Sequence, residues 1–131
     1  MRTLIAIMAA ALLVISMGTA GAVPDTLKLS VDEAKSLVGL VVSVANPAKD
    51  IESMQMPDDP NFLFFSATWA SPAGEPMNGY FGVNPATGDV WDIACHHESN
   101  PALRHAQAEI KKRFALPTRE YKRLSALKPI C

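Results

Sequence analysis

The sequence predicts an α+β fold, in which an N-terminal helix packs on a three- to four-stranded antiparallel sheet and one or two C-terminal helices follow, held by a disulfide. Three observations predict it. A capped segment with helical spacing comes first, short β-rich segments separated by turn residues follow, and a helical stretch rich in Lys and Arg ends the chain. Strands grouped between helices are typical of the α+β class.

Residues 1–22 precede these elements and predict a cleaved secretory signal. Arg2 is positively charged, the segment 4–17 is apolar apart from Ser16, and Ala20-Gly21-Ala22 fits the small-residue rule for signal cleavage. A membrane span needs about 20 apolar residues, so an uncleaved anchor is the weaker alternative. We therefore expect a mature chain of residues 23–131 that forms a single small domain, has no transmembrane segment and is periplasmic or secreted.

The first helix is predicted to begin after Ser30. Ser30 is a favourable N-cap, and Glu33 three residues later completes a capping box. Apolar residues then recur at helical spacing through residues 31–41. The run 41–44 is rich in β-branched residues, so we expect the helix to end near Gly39 and a strand to follow.

Three segments, residues 62–69, 80–83 and 90–95, are predicted to be strands, and a further short strand is predicted around residues 51–56. In the first segment Leu63, Phe65, Ala67 and Trp69 share one face, which we predict to be the core face because the opposite face ends in hydroxyl groups. The last two strands are joined by a hairpin at residues 84–89. Gly88 suits a left-handed position there.

Two helices are predicted after the sheet. Asn100 is a favourable N-cap and Pro101 is suited to the first helical position, so one helix is expected from there to about Leu116. Pro117 ends that helix. Thr118 is then predicted to cap a short last helix over residues 119–127.

Two segments of the chain resemble the ends of a PepSY-type domain. That family typically opens with (I/L)-S-x-x-E-A and closes with a hairpin of the form V-D-x-x-T-G-x-V; here the matching segments are LSVDEA at residues 29–34 and VNPATGDV at residues 83–90. Asn84 stands where the pattern usually has Asp. The resemblance covers about residues 28–95. It implies a cystatin-like sheet against a helix and a binding or peptidase-inhibiting role for an exported domain.

The segment ACHHES, residues 94–99, contains the residues most suited to chemistry. Exported chains meet an oxidising compartment, so we predict a disulfide between Cys95 and Cys131, the two cysteines of the chain. Closing a loop of this length stabilises a small domain by roughly 3–4 kcal/mol. The alternative is a metal- or small-ligand-binding site formed by His96, His97 and Glu98 beside Cys95. Adjacent histidines on an extended chain point to opposite sides, which disfavours this alternative.

Charge is distributed unevenly along the chain. Residues 23–99 contain three Lys and eleven Asp and Glu, whereas residues 100–131 contain eight Lys and Arg and two Glu. A basic surface that binds a partner is predicted on the C-terminal helices, at Lys111, Lys112, Arg113, Arg119, Lys122 and Arg123. The alternative is that these cations neutralise the acidic loop at residues 50–59 of the same chain.

The sequence excludes several classes of function. The sequence has no recognisable catalytic set, cofactor motif or phosphate-binding loop, and an exported, partly acidic chain is poorly suited to nucleic acid. We therefore expect a non-enzymatic binding module without a cofactor. Its partner is expected to be another exported protein, on which it acts as an inhibitor or immunity-type protein. Periplasmic metal or small-ligand binding through residues 95–98 is the alternative.

Overall fold

The computed structural model describes residues 27–42 and 49–131, so the predicted signal, residues 1–22, lies outside it. The elements in chain order are α1 (Val31–Val41), β1 (Lys49–Met54), β2 (Leu63–Ala70), β3 (Pro76–Val83), β4 (Val90–Asp92), α2 (Pro101–Phe114) and α3 (Thr118–Ser125). The four strands form one antiparallel sheet in the order β1-β2-β3-β4. The predicted fold class is confirmed.

Helix α1 begins with the predicted capping box. The Ser30 hydroxyl accepts a hydrogen bond from the Glu33 N–H, and Glu33 Oε2 accepts one from the Ser30 N–H at 2.8 Å. The helix ends at Val41 rather than near Gly39. Burial of Val38 and Val42 explains the two additional residues, because packing overrides the β preference of valine. The rest of the predicted strand at residues 41–44 lies outside the described residues.

Strand β2 lies in the middle of the sheet and presents its predicted face to the core. Phe65 and Ala67 are almost fully buried, and Leu63 and Trp69 pack against them. The neighbouring strand β3 is longer than predicted because it begins at Pro76, which pairs with Ala70. Proline is tolerated there as the first residue of a strand. We call the face of the sheet that Phe65 occupies the inner face and the opposite face the outer face.

The main core lies between the inner face and the helices α1 and α2. Helix α1 crosses strands β1, β2 and β3, and α2 packs beside α1. The core side chains are apolar throughout and come from the sheet and from both helices: Ala34, Leu37 and Val38 from α1, Ile51, Phe65, Ala67, Phe81, Val83 and Val90 from the sheet, and Leu103, Ile110 and Phe114 from α2.

The hairpin between β3 and β4 has the predicted glycine geometry. Gly88 has a φ of 77°, a left-handed conformation that favours glycine. Strand β4, however, ends at Asp92, not at Cys95 as predicted. The chain turns at this point: the Cys95 N–H donates to the Asp92 carbonyl at 3.1 Å, and Cys95 has a φ of 62°. A left-handed residue cannot continue a strand.

The two C-terminal helices begin and end close to the predicted residues. In α2 the Asn100 side chain accepts a hydrogen bond from the Leu103 N–H at 2.8 Å, and Ala115 ends the helix with a φ of 47°. The prediction that Thr118 caps α3 was wrong, because Thr118 is the first residue of the helix and Pro117 precedes it without a side-chain cap. None of the helices in the described ranges is long and apolar enough to cross a membrane.

The C-terminal tail after α3 returns over the outer face of the sheet. Pro129 is buried above Gly82, where an added Cβ would lie 3.4 Å from the Pro129 Cβ. The Lys128 ammonium lies 5.9 Å from the centre of the Trp91 ring, and the Ile130 N–H donates to Asp59 at 2.8 Å. The tail therefore covers Trp91 on the edge strand β4.

Candidate partner-binding surfaces

The predicted disulfide joins the turn after β4 to the last residue of the chain. Cys95 and Cys131 are bonded, with their Cα atoms 5.7 Å apart and a sequence separation of 36. This confirms the predicted pairing. Both cysteines are exposed, so the bridge lies on the surface and not in the core.

Asp92 fixes the turn that carries Cys95. One carboxylate oxygen of Asp92 accepts hydrogen bonds from the Ala94 and His96 N–H groups, each at 2.9 Å, and the other lies 3.2 Å from His96 Nδ1. Partial burial would raise the pKa of Asp92, but the hydrogen bonds from His96 and Ala94 outweigh burial and lower that pKa. The turn is thus held by an ionised side chain at neutral pH.

The two histidines of ACHHES contact different carboxylates. His96 pairs with Asp92, whereas His97 Nε2 lies 3.1 Å from Asp89 and the His97 ring packs on Trp91 at a centroid distance of 4.7 Å. Desolvation, followed by the charge of Asp92, raises the pKa of Glu98. No group of three or more His, Cys, Asp and Glu side chains within residues 27–42 and 49–131 is arranged to hold a metal ion. The structure therefore does not bring His96, His97 and Glu98 together as one ligand set.

The predicted basic surface divides into paired and unpaired cations. Arg113 donates to Glu33 at 2.7 Å, and Arg123 forms a bidentate ion pair with Glu120. The Lys111 ammonium lies 4.5 Å from the centre of the Tyr121 ring. The other three, Lys112, Arg119 and Lys122, are exposed and have no ion pair with any described residue. They are the part of this surface that is available to a partner.

The alternative explanation for the basic surface, internal neutralisation of the acidic loop, does not occur through direct pairs. Among the described residues no ion pair joins the six cations to the carboxylates at residues 50–59. One of those carboxylates, Asp59, is buried and accepts the Ile130 N–H. The basic helices are balanced locally by Glu33 and Glu120 instead.

A further surface was missed by the sequence analysis. We call it the disulfide tip: Ile93, Ala94, the Cys95–Cys131 bridge and Ile130. Ile93 and Ile130 are 63% and 64% exposed, more than any other large apolar side chain in the described part of the chain. The sequence placed Ile93 within a strand, and only the early end of β4 at Asp92 brings it to the surface.

A depression of about 400 Å³ adjoins the disulfide tip. Ile93, Tyr80 and Trp69 contribute apolar surface to it, and Asp92 and Glu98 contribute carboxylates. Tyr80 is 47% exposed and precedes Phe81, the register partner of Asp92. The lining of the depression therefore includes both aromatic and acidic residues.

Comparisons with known proteins bear on the fold of this chain. No protein-family model matches the sequence, and no curated protein matches it either. A search of solved structures found a chain in the structure of a type VI secretion system effector-immunity complex from Pseudomonas protegens. The two chains are 22% identical and superpose with a TM-score of 0.56, over 75% of this chain and 87% of that one. This likeness shows a shared fold, which extends over most of the neighbouring chain.

Proposed function

We propose that this chain is an exported, non-enzymatic binding protein of the immunity type, which binds another exported protein and blocks its action. The observation that carries the proposal is the fold shared with a chain of an effector-immunity complex. Proteins of one fold serve many functions, so the surface of this chain must supply the rest of the argument.

The surface features support binding rather than covalent catalysis. Both cysteines are engaged in the disulfide, so neither supplies a thiol nucleophile. Two exposed isoleucines lie within two residues of the bridged cysteines, a half-exposed tyrosine lines the same depression as Ile93, and grouped exposed apolar side chains are typical of protein-binding surfaces. A surface disulfide also suits a protein that works outside the reducing cytosol, in the periplasm or beyond the cell.

The PepSY-like resemblance over residues 28–95 stays a prediction and leads to a related proposal. It implies that the blocked protein is an exported peptidase, whereas the effector-immunity neighbour suggests that the blocked protein is an effector. Both proposals require a one-to-one protein complex. The activity of the captured partner separates them.

The test begins with capture of the partner. The mature chain is displayed as bait in a periplasmic extract of the source cell, and the bound protein is identified and produced alone. We expect a one-to-one complex by light scattering. We also expect that exporting the partner alone inhibits growth or degrades protein, and that co-export of this chain relieves the effect. A captured protein with no such activity, co-purification of a metal ion in place of a protein, or no stoichiometric protein at all would contradict the proposal.

A further inference from the structure

We infer that the disulfide tip and the adjoining depression form the partner-binding surface, and that they receive a segment of the partner in which a Lys or Arg side chain lies beside an apolar contact. The inference rests on the proposed function and specifies its site. It differs from the prediction from sequence, which placed the partner on the basic C-terminal helices.

The exposed apolar groups of the tip are clustered. Ile93 is two residues from Cys95 and Ile130 is adjacent to Cys131, and the bridge holds the Cα atoms of the two cysteines 5.7 Å apart. Each isoleucine therefore lies within two residues of a cysteine of the same disulfide. Scattered single apolar residues on a surface need no explanation, whereas a cluster is typical of an interaction site.

Hydrogen bonds and the disulfide also hold the backbone of the tip in place. The Asp92 carboxylate holds the Ala94 and His96 N–H groups, the bridge ties both chain segments, and the Ile130 N–H donates to Asp59. Cys95 has a φ of 62°, which costs energy in a residue other than glycine. A rigid surface loses little conformational entropy on binding, so this arrangement favours affinity.

The chemistry of the occupant follows from the depression. Trp69 from the inner face and Tyr80 from the outer face both line the depression at the edge of β3, and the acidic residues Asp92 and Glu98 complete its lining. An arginine side chain has an apolar stem and a planar cation that stacks on aromatic rings and pairs with carboxylates, so a basic partner segment fits this surface.

A second copy of this chain does not fit as the occupant. A symmetric contact between two disulfide tips would place Asp92 and Glu98 of one copy near the same residues of the other. Like charges brought together in an interface disfavour binding. Asp92 and Glu98 in the depression therefore favour a basic partner segment over a second copy.

Site-specific photo-crosslinking in the source cell tests this assignment. A benzophenone amino acid replaces Ile93 or Tyr80 in the full exported chain, and Arg119 on the basic surface serves as the matched control position. We expect one protein to be crosslinked from positions 93 and 80 but not from position 119. Crosslinks from position 119 alone would overturn the inference while leaving the proposed function intact. A crosslinked second copy of this chain at position 93 would also overturn it.

Affinity measurements with the crosslinked protein, produced alone, complete the test. We expect Ile93→Ser and Tyr80→Ala each to raise Kd by at least about tenfold, as at interface hot spots. The affinity should also fall as salt is added. The paired change Lys112→Glu with Arg119→Glu should leave Kd nearly unchanged.

Because Ile93 is exposed, Ile93→Ser should not alter the denaturation midpoint, which excludes unfolding as the cause of weaker binding. Unchanged affinity in both tip variants would overturn the inference, and absence of binding by the natural chain would overturn the proposed function instead.

Discussion

Asn84 is a buried side chain whose hydrogen-bonding groups are both used. It is 2% exposed, its Nδ2 donates to the Leu124 carbonyl at 2.9 Å, and its Oδ1 accepts from the Ala86 N–H at 3.0 Å. The first bond connects the β3–β4 hairpin to α3 over 40 residues of sequence. An aspartate, which the PepSY pattern usually has here, could not donate to that carbonyl when ionised.

Asn84→Asp should therefore destabilise the protein in a pH-dependent way. At pH 7 we expect a loss of about 3 kcal/mol, because a buried carboxylate would face a carbonyl oxygen without a compensating cation. Burial raises the pKa of such a group in the folded state, so the loss should be small below about pH 4 and grow as pH rises. Urea denaturation of both proteins at low and neutral pH measures the difference. An equal loss at both pH values would contradict this account, and Asn84→Ala provides a variant that has no charge.

Gly88 is required both for its backbone conformation and for space. Its φ is 77°, and an added Cβ would lie 2.8 Å from Ile110 Cδ1 and 3.3 Å from Leu37 Cδ1. Gly88→Val should cost about 2–4 kcal/mol from left-handed strain together with overpacking of the core. Gly74 is a matched control, because its φ is 84° but nothing lies within 4 Å of an added Cβ. Gly74→Val should therefore cost only about 1–2 kcal/mol. Equal shifts of the denaturation midpoint would show that the contact with Ile110 has no effect.

At the scale of elements, Glu33 links α1 to α2. Its carboxylate accepts the Ser30 N–H at the start of α1 and the Arg113 guanidinium from the last turn of α2. The hydrogen bond from Arg113, followed by that from Ser30, lowers the pKa of Glu33 to about 2. The unfolded chain binds this proton near its ordinary pKa of 4.5. The stabilisation is therefore complete above about pH 4.5 and is lost as pH falls towards about 2.

Glu33→Gln should remove this pH-dependent part of the stability. Both side chains of the pair are about half exposed, so solvent screening limits the expected loss to about 1 kcal/mol or less at pH 7. The difference in free energy of unfolding between the natural chain and the variant should become smaller as the pH falls towards about 2. Denaturant titration at several pH values measures it. Glu120→Gln is a matched control, because its partner Arg123 lies in the same helix and the pair joins no two elements. A difference that stayed constant with pH would argue against the Glu33–Arg113 pair.

Local sequence signals predicted the elements well where one residue determines the geometry. The capping box at Ser30, the cap at Asn100 and the left-handed turn at Gly88 all follow from short-range chemistry, and the structure has all three. The end of β4 was predicted wrongly because alternation of side chains favoured a strand through Cys95. The turn depends on hydrogen bonds to the Asp92 side chain, which alternation does not reveal.

At the scale of the whole molecule, the candidate site could be predicted only in part. The disulfide followed from the cysteine count and the predicted export of the chain. The exposure of Ile93 and Ile130 depends on where the tail crosses the sheet, which no local pattern specifies. The charge asymmetry was correctly read from the sequence. Which carboxylate each cation pairs with depends on tertiary contacts. Arg113, for example, pairs with Glu33, which is 80 residues away in sequence.

The Cys95–Cys131 bridge connects the sheet to the end of the chain, so its removal should affect the molecule as a whole. Cys131→Ser should lower the free energy of unfolding by roughly 3–4 kcal/mol, since the open chain gains the entropy that the bridge restricts. The freed tail should also expose Trp91, which Lys128 and Pro129 help to cover, and shift its fluorescence to longer wavelength. Ile130→Ser is the matched control, because it changes an exposed residue of the same tail and keeps the bridge. That control should show neither effect. Two titratable thiols in the native protein would contradict the assigned pairing, and a stable Cys131→Ser variant with unshifted fluorescence would show that Pro129 and Asp59 hold the tail without the bridge.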